Sequence, residues 1–429
     1  MNDMNKNNTV LRFMTCGSVD DGKSTLIGRL LYDTKTILTD TLSQIEKTSK
    51  KKGMTALDLS LITDGLQAER EQGITIDVAY RYFSTGSRKY IIADAPGHEQ
   101  YTRNMVTAAS TSQLAIILVD ARKGMLTQTR RHSYLTKLVG IKHIIVAVNK
   151  MDLVNYDENE YQTICDEYNS FASAIKLDQP EVTISFIPMS ALNGDMIVDR
   201  GDSLDWYKGA TLLETLENID TTEETKNSQL RFPIQLVCRP RDSANEELHD
   251  FRAFMGKIES GSLKVNDKIK VLPSSHESTI KEIRIGEELI SEATYEQSVT
   301  VSLNDEIDIS RGDMIVQKDD DLTSTKNFTA NVCWLSESNL SINRTYLIMH
   351  TTRLSKAKIS SINNKININT LDTEQATELK ANDIANINFK LAQPLIVDQY
   401  SQNRGTGAFI IIDETTYHTV GAGMIETVE

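Results

Sequence analysis

Gly17-Ser18-Val19-Asp20-Asp21-Gly22-Lys23-Ser24 sets the order of the chain around it. It fits G-x-x-x-x-G-K-[ST]. An apolar run, Val10 to Cys16, precedes it and predicts a buried strand. Leu26, Ile27, Leu30 and Leu31 follow at helical spacing. Strand, glycine loop and helix form the setting in which this motif cradles a phosphate. The glycines let the backbone curl so that several N–H groups point at one phosphate. The helix N-terminus adds its partial positive charge. Lys23 is placed to reach the β- and γ-phosphates, and the Ser24 hydroxyl suits Mg²⁺. The nucleotide-binding stretch is taken as Gly17, Ser18, Val19, Asp20, Asp21, Gly22, Lys23, Ser24 and Thr25.

Outward from this loop, apolar runs and helical patterns alternate. Helical stretches are expected over about Asp40–Lys51 and in a second segment ending near Gln72. Strands are expected over Ile74–Phe83, Lys89–Asp94, Leu114–Asp120, His143–Asn149 and Val182–Pro188. Such a βαβ series predicts a mostly parallel sheet with helices on both faces, its ligands at the carboxyl ends of the strands. The polar stretch Asp220–Gln229 reads as a linker. Beyond it the period shortens. Phe232–Cys238, Phe251–Ile258, Lys268–Leu272, Thr279–Ile285, Ser298–Leu303 and Asp313–Val316 read as short strands, which predicts a β-barrel. After a second polar break, Lys318–Lys326, Ala330–Leu335, Thr345–Met349, Lys358–Ile362, Ile384–Leu391 and Ala408–Asp413 predict another β-rich domain. The expected fold is multidomain: an α/β domain over 1–222, then all-β domains over 223–322 and 323–429.

At 429 residues, two or three domains are expected. With 39% hydrophobic and 25% charged residues the composition is that of a globular protein. A net charge of −14 argues against a sequence-wide basic surface for nucleic acid. Leu114–Val119 is far too short to span a bilayer, and the polar start Met1–Asn8 has no signal-peptide core. Cys16, Cys165, Cys238 and Cys333 lie far apart, as reduced thiols of a cytoplasmic protein.

The base is read from Asn149-Lys150-Met151-Asp152, at the end of an apolar strand. Guanine presents N1–H and N2–H₂ together, and Asp152 suits that donor pair; adenine offers none. Asn149 can hold the loop and contact the other edge of the base, and the Lys150 stem can cover its face. Ser190-Ala191-Leu192 follows the next strand, and its backbone N–H groups are candidates for guanine O6. Buried readout of this kind discriminates steeply. The expected cofactors are therefore GTP and Mg²⁺.

Asp94-Ala95-Pro96-Gly97-His98 supplies the γ-phosphate side. Asp94 is placed to hold Mg²⁺ through water, and Gly97 to bring its N–H close to the phosphate. Thr75, after the glycine of Glu69–Thr75, is a second candidate Mg²⁺ oxygen that engages only while the γ-phosphate is present. His98 directly follows the γ-phosphate glycine and is the candidate for orienting the attacking water. His132 and His143 are expected to be structural, and Arg130-Arg131 to lie on a solvated helix face.

In this order the motifs resemble the translation-factor class of GTPases. Within it, Thr15–Lys35, Asp94–Met105, Asp120–Met125, Glu306–Asp313 and Asn403–Asp413 resemble the GTPase (large) subunit of bacterial two-subunit sulfate adenylyltransferase, over nearly the whole chain. Asp20-Asp21 and Glu99-Gln100-Tyr101 are the discriminating details. Elongation factors usually carry histidine at the position of Asp21. Ala95 departs from the threonine usual in the subunit family. The resemblance implies a cytoplasmic GTPase subunit that drives formation of adenylyl sulfate and pyrophosphate, the first step of sulfate assimilation. A separate small subunit would perform the adenylyl transfer from ATP to sulfate. No sulfate or ATP chemistry is expected of this chain's own residues, and no fused adenylyl sulfate kinase. The rival expectation is an elongation-factor-like carrier of aminoacyl-tRNA.

Overall fold

The computed structural model describes residues 10–37, 39–51, 57–62, 77–97, 102–220, 229–239, 251–367, 370 and 372–428. The chain forms two compact units, one built chiefly of Met1–Thr221 and the other of the chain from Thr222 onward.

The first unit holds a six-stranded sheet. Its strands are β1 (Val10–Gly17), β2 (Ala79–Ser84), β3 (Lys89–Asp94), β4 (Leu114–Asp120), β5 (His143–Asn149) and β6 (Thr183–Pro188), in the order β2-β3-β1-β4-β5-β6. Only β2 runs antiparallel to its neighbour; the other pairings are parallel. Every residue of β4 is buried, as a strand covered on both faces requires. The register pairs Thr15 with Asp94, Gly17 with Leu118 and Asp120 with Asn149. The motif-bearing strand ends therefore share one edge of the sheet, on both sides of the point where chain direction across the sheet reverses.

Helices α1 (Lys23–Asp33), α2 (Thr39–Lys51), α3 (Thr102–Ser110), α4 (Thr127–Leu138), α5 (Glu158–Ala174) and α6 (Leu212–Asn218) accompany the sheet. Helix α1 buries Leu26, Ile27, Leu30 and Leu31 in the core that also holds Phe13, Ile116 and Ile145. A 3₁₀ turn, Leu59–Ile62, lies on α1, where Gly28 leaves room for it: a Cβ there would fall 2.1 Å from Leu59 O. Helix α6 starts at a locally encoded capping box. Thr211 Oγ1 accepts from Glu214 N at 3.2 Å, and Thr211 N donates to Glu214 Oε2 at 2.7 Å.

The second unit holds two closed six-stranded barrels. In the first, Lys268–Leu272, Met314–Gln317, Phe232–Cys238, Ala253–Lys257, Ser298–Leu303 and His276–Ile285 pair in that order, and the last closes on the first. In the second, Thr345–His350, Ala408–Asp413, Thr419–Val428, Ser324–Trp334, Ile384–Ile396 and Arg353–Ile366 close likewise. The α/β-plus-barrels expectation is met. The strand Thr419–Val428 adds to the expected set, because its glycines mask the alternation. Gly423 is required there, since a Cβ would fall 2.2 Å from the Phe409 ring. Among the described residues no helix is long and apolar enough to cross a membrane.

Among the expected elements, the helix ending near Gln72, the start of the Ile74–Phe83 strand and most of the Asp220–Gln229 linker fall outside the described residues, as does the stretch Glu99-Gln100-Tyr101. One is corrected. Arg131 is only 8% exposed, not solvated, because it lies on the core-facing side of α4 beside buried His132 and Ser133. Its neighbour Arg130 is half-exposed, ion-paired to Glu167 at 2.8 Å and stacked over Phe171.

Candidate functional site

The phosphate loop leaves β1 at Gly17 and enters α1 at Lys23. Asp20 (φ 67°) and Gly22 (φ 97°) take left-handed conformations. Gly22 could not be replaced without displacement, since a Cβ would lie 2.5 Å from Asn149 Nδ2. Asp21 folds into the loop, where its Oδ2 accepts from Ser18 N at 2.6 Å. It is 1% exposed, and burial raises its carboxyl pKa while nearby Lys23 pulls it back. Lys23 Nζ donates to Gly17 O at 3.0 Å and to Ser18 O at 2.9 Å. Burial lowers the pKa of its ammonium, and Asp94 and Asp21 oppose that shift. Val19 is half-buried; Ser24 and Thr25, also half-buried, lie in the first turn of α1.

The β3 end comes against this loop. Asp94, 2% exposed, accepts from Thr15 Oγ1 at 3.1 Å, and Ala95 N donates to Thr15 O at 3.1 Å. Ala95, Pro96 and Gly97 are buried. A Cβ on Gly97 would lie 2.7 Å from Lys23 Nζ and 2.8 Å from Gly17 O, so only glycine permits this approach. His98 and Thr75 lie outside the described residues.

At the base side, Asn149 is 1% exposed and joins two loops. Its Nδ2 donates to Asp21 O at 2.8 Å, and its Oδ1 accepts from Ala191 N at 2.9 Å. Lys150 (φ 64°) pairs with Asp120 at 3.0 Å and donates to Asp20 O. Arg122 also grips Asp120, through Nε to Oδ1 at 3.0 Å and Nη2 to Oδ2 at 2.7 Å. Burial alone would raise the Asp120 carboxyl, but the hydrogen bonds from Arg122 and Lys150 outweigh it and hold the carboxylate well below its usual range. Asp152, half-buried, accepts from Ser190 Oγ at 2.6 Å. Met151 is fully buried, Ala191 is 2% exposed and Leu192 is 58% exposed.

The structure thus brings the phosphate loop, Asp94–Gly97, Asn149–Asp152 and Ser190–Leu192 to one end of one sheet. Three contributors escaped the motif reading: Thr15, Asp120 and Arg29, whose Nε donates to Ala191 O at 3.3 Å. Asp120 carried a signal, a carboxylate closing an otherwise apolar strand. Thr15 and Arg29 carried none, since their partners are set by strand register and helix packing.

The donor set fits a magnesium–nucleotide ligand. Gly22 and Gly97 let Asn149, Lys23 and the phosphate loop approach one another closely, which gathers these polar groups in one place. Ser18 Oγ and Asp21 Oδ1 are buried with no hydrogen-bond partner among the described residues. Hydroxyl and carboxylate oxygens on Ser24 and Asp94 are hard ligands of the kind Mg²⁺ takes.

Residues 8–224 match the elongation factor Tu GTP binding domain. Residues 327–426 match the GTP-eEF1A C-terminal domain-like family. Sulfate adenylyltransferase subunit 1 of Colwellia psychrerythraea is 51% identical over 98% of this chain and 88% of that protein. The chain belongs to the sulfate adenylyltransferase subunit 1 family. Its namesake from Cellvibrio japonicus is 49% identical over 97% of this chain and 86% of its own length. Among solved structures, sup35 complexed with GDP is similar over 98% of this chain and 94% of that one, at 22% identity and a TM-score of 0.44. Membership in the subunit 1 family, with a GTP-binding domain of the elongation factor Tu type, agrees with the resemblance carried by the motifs.

Proposed function

We propose that this chain binds GTP with Mg²⁺ and couples its hydrolysis to formation of adenylyl sulfate and pyrophosphate by a separate small subunit. The observation that carries the reading is the near-full-length identity to sulfate adenylyltransferase subunit 1 proteins. The strand-end cluster of Lys23, Asp94, Asn149 and Asp152 supports it. In this reading residues 1–222 form the nucleotide domain, and 223–322 and 323–429 form two barrel domains of a cytoplasmic heterodimer.

Gly17 to Thr25 bind the phosphates, with Lys23 turning from the loop carbonyls to the β- and γ-phosphates. Ser24, Asp94 and Thr75 would hold Mg²⁺, which neutralises charge on the β- and γ-oxygens when bound. Gly97 offers its N–H to the γ-phosphate, and His98 orients the attacking water. Asp152 accepts the guanine N1–H and N2–H₂, while Asn149 ties the phosphate and base loops together. Coupling requires contacts with the partner that differ between the two nucleotide states. The segments around Thr75 and from Asp94 to Tyr101 are the parts of the chain that sense the γ-phosphate.

The test is GTP hydrolysis by the purified chain, alone and with a small adenylyl-transferring subunit, ATP and sulfate. The reading expects the subunit and its substrates to raise GTP turnover while adenylyl sulfate accumulates, and His98→Ala to cut both. Turnover that ignores the subunit and rises only with ribosomes would overturn the coupling and favour an aminoacyl-tRNA carrier.

A further inference from the structure

Arg29 lies on α1, six residues beyond Lys23. Its guanidinium is held from its own helix. Nη1 pairs with Asp33 at 3.6 Å, and the group lies 5.8 Å from the Tyr32 ring centroid. From the other side comes the loop Ser190–Gly194. Arg29 Nε donates to Ala191 O at 3.3 Å, and Nη2 donates to Leu192 O. Gly194 (φ 95°) packs on the same side chain, where a Cβ would meet Arg29 Cδ at 3.5 Å. One planar fork therefore grips two successive carbonyls, which an ammonium cannot do with fixed geometry.

The N–H groups of this loop are mostly engaged. Ser190 N donates to Asp195 O at 3.2 Å, and Gly194 N donates to Ser190 O at 2.8 Å. Ala191 N donates to Asn149 Oδ1 at 2.9 Å, and Asn193 N donates to Ser190 Oγ at 3.2 Å. Leu192 N–H takes no partner among the described residues. A trans peptide is planar, and its C=O and N–H point in opposite directions. The bond that draws Ala191 O toward α1 thus turns Leu192 N–H away from α1.

We propose that Arg29 is a positioning residue for base selection: it fixes the Ala191–Leu192 peptide so that Leu192 N–H reads guanine O6. This inference rests on the guanine-site reading given above. It divides the work of recognition. Asp152 reads N1–H and N2–H₂, and the arginine-held peptide reads position 6.

The test measures dissociation constants of the full chain for GTP, 6-thio-GTP and ITP. 6-Thio-GTP keeps the N1–H and N2–H₂ donors but offers sulfur, a weaker acceptor, at position 6. ITP keeps O6 and lacks N2. Wild type is expected to prefer GTP over 6-thio-GTP by about fivefold, the scale of one neutral hydrogen bond. Arg29→Ala should bring that ratio toward one and leave the GTP/ITP ratio unchanged. Arg29→Lys, which keeps the charge and most of the stem, should fall between them. A merely structural loss would lower all three affinities together and overturn the proposal. So would a wild type that does not distinguish the two position-6 atoms, or an Arg29→Lys chain that keeps the full ratio if Arg29→Ala fails to fold. Asp152→Asn separates the two levels, because an amide suits xanthine in place of guanine. If that variant does not shift preference from GTP to XTP, the base-site reading itself fails. If it does shift and Arg29 variants keep the GTP/6-thio-GTP ratio, only this inference fails.

Discussion

Asn149 Nδ2 donates to Asp21 O at 2.8 Å, across 128 residues of sequence. The same side chain accepts from Ala191 N at 2.9 Å, so one buried amide joins the phosphate loop to the Ser190–Gly194 loop. Removing it leaves a buried carbonyl and a buried N–H without partners. Asn149→Ala is expected to destabilise the nucleotide domain by about 2–3 kcal/mol and to weaken GTP binding by more than about tenfold. Chemical denaturation and calorimetric titration check the two effects separately.

Lys23 should behave differently. The residue is 8% exposed and burial pushes its pKa down, so its charge is held at a desolvation cost. Lys23→Ala removes that cost along with the hydrogen bonds to Gly17 O and Ser18 O. The free chain is expected to lose only about 1–2 kcal/mol, because relief of that desolvation offsets part of what the two lost hydrogen bonds and the loss of a cation beside buried Asp21 and Asp94 cost. GTP affinity is expected to fall by at least about 100-fold, because the proposed charge-assisted contact of Lys23 with the phosphates would be lost. Comparing melting of the free chain with titration of GTP distinguishes this from a folding defect.

His132 makes stability depend on pH. Burial, with smaller contributions from Lys23 and Arg131, lowers its pKa from 6.5 to about 3. Between these values the unfolded chain binds the proton and the folded chain does not. Stability is therefore lost as pH falls below about 6.5, with a slope approaching about 1.4 kcal/mol per pH unit. His132→Leu should remove that part of the slope. Melting curves from about pH 7 to about pH 5 check it through the difference between variant and wild type, in which the carboxylate titrations common to both cancel.

Arg231 anchors the barrel unit. Its Nε reaches Asp398 Oδ2 at 2.8 Å, its Nη2 reaches Asp398 Oδ1 at 2.8 Å and its Nη1 reaches Asp320 Oδ2 at 2.6 Å. All three residues are buried. Arg231→Ala leaves two carboxylates buried without their cation, and is expected to cost about 3–5 kcal/mol. Unfolding of the chain followed by denaturant titration should show the loss. The response of GTP affinity to Asn149→Ala serves as the contrasting case.

The local parts of the molecule were legible in the amino-acid order alone. The glycine spacing of the phosphate loop, the apolar runs of β3, β4 and β5, and the Asn149–Asp152 turn depend on residues near one another along the chain. Their periodicity and turn chemistry are therefore legible without a fold. Which of those parts meet depends on the folded chain. Thr15 faces Asp94 because of the β1–β3 register. Arg131 is buried because α4 turns that side toward the core, although two adjacent arginines suggest a wet surface. Arg29 reaches Ala191 over 162 residues because α1 and the Ser190–Gly194 loop pack together. Each such contact arises from the register of strands and the docking of helices, and these depend on the burial of the whole core, not on any short stretch of sequence.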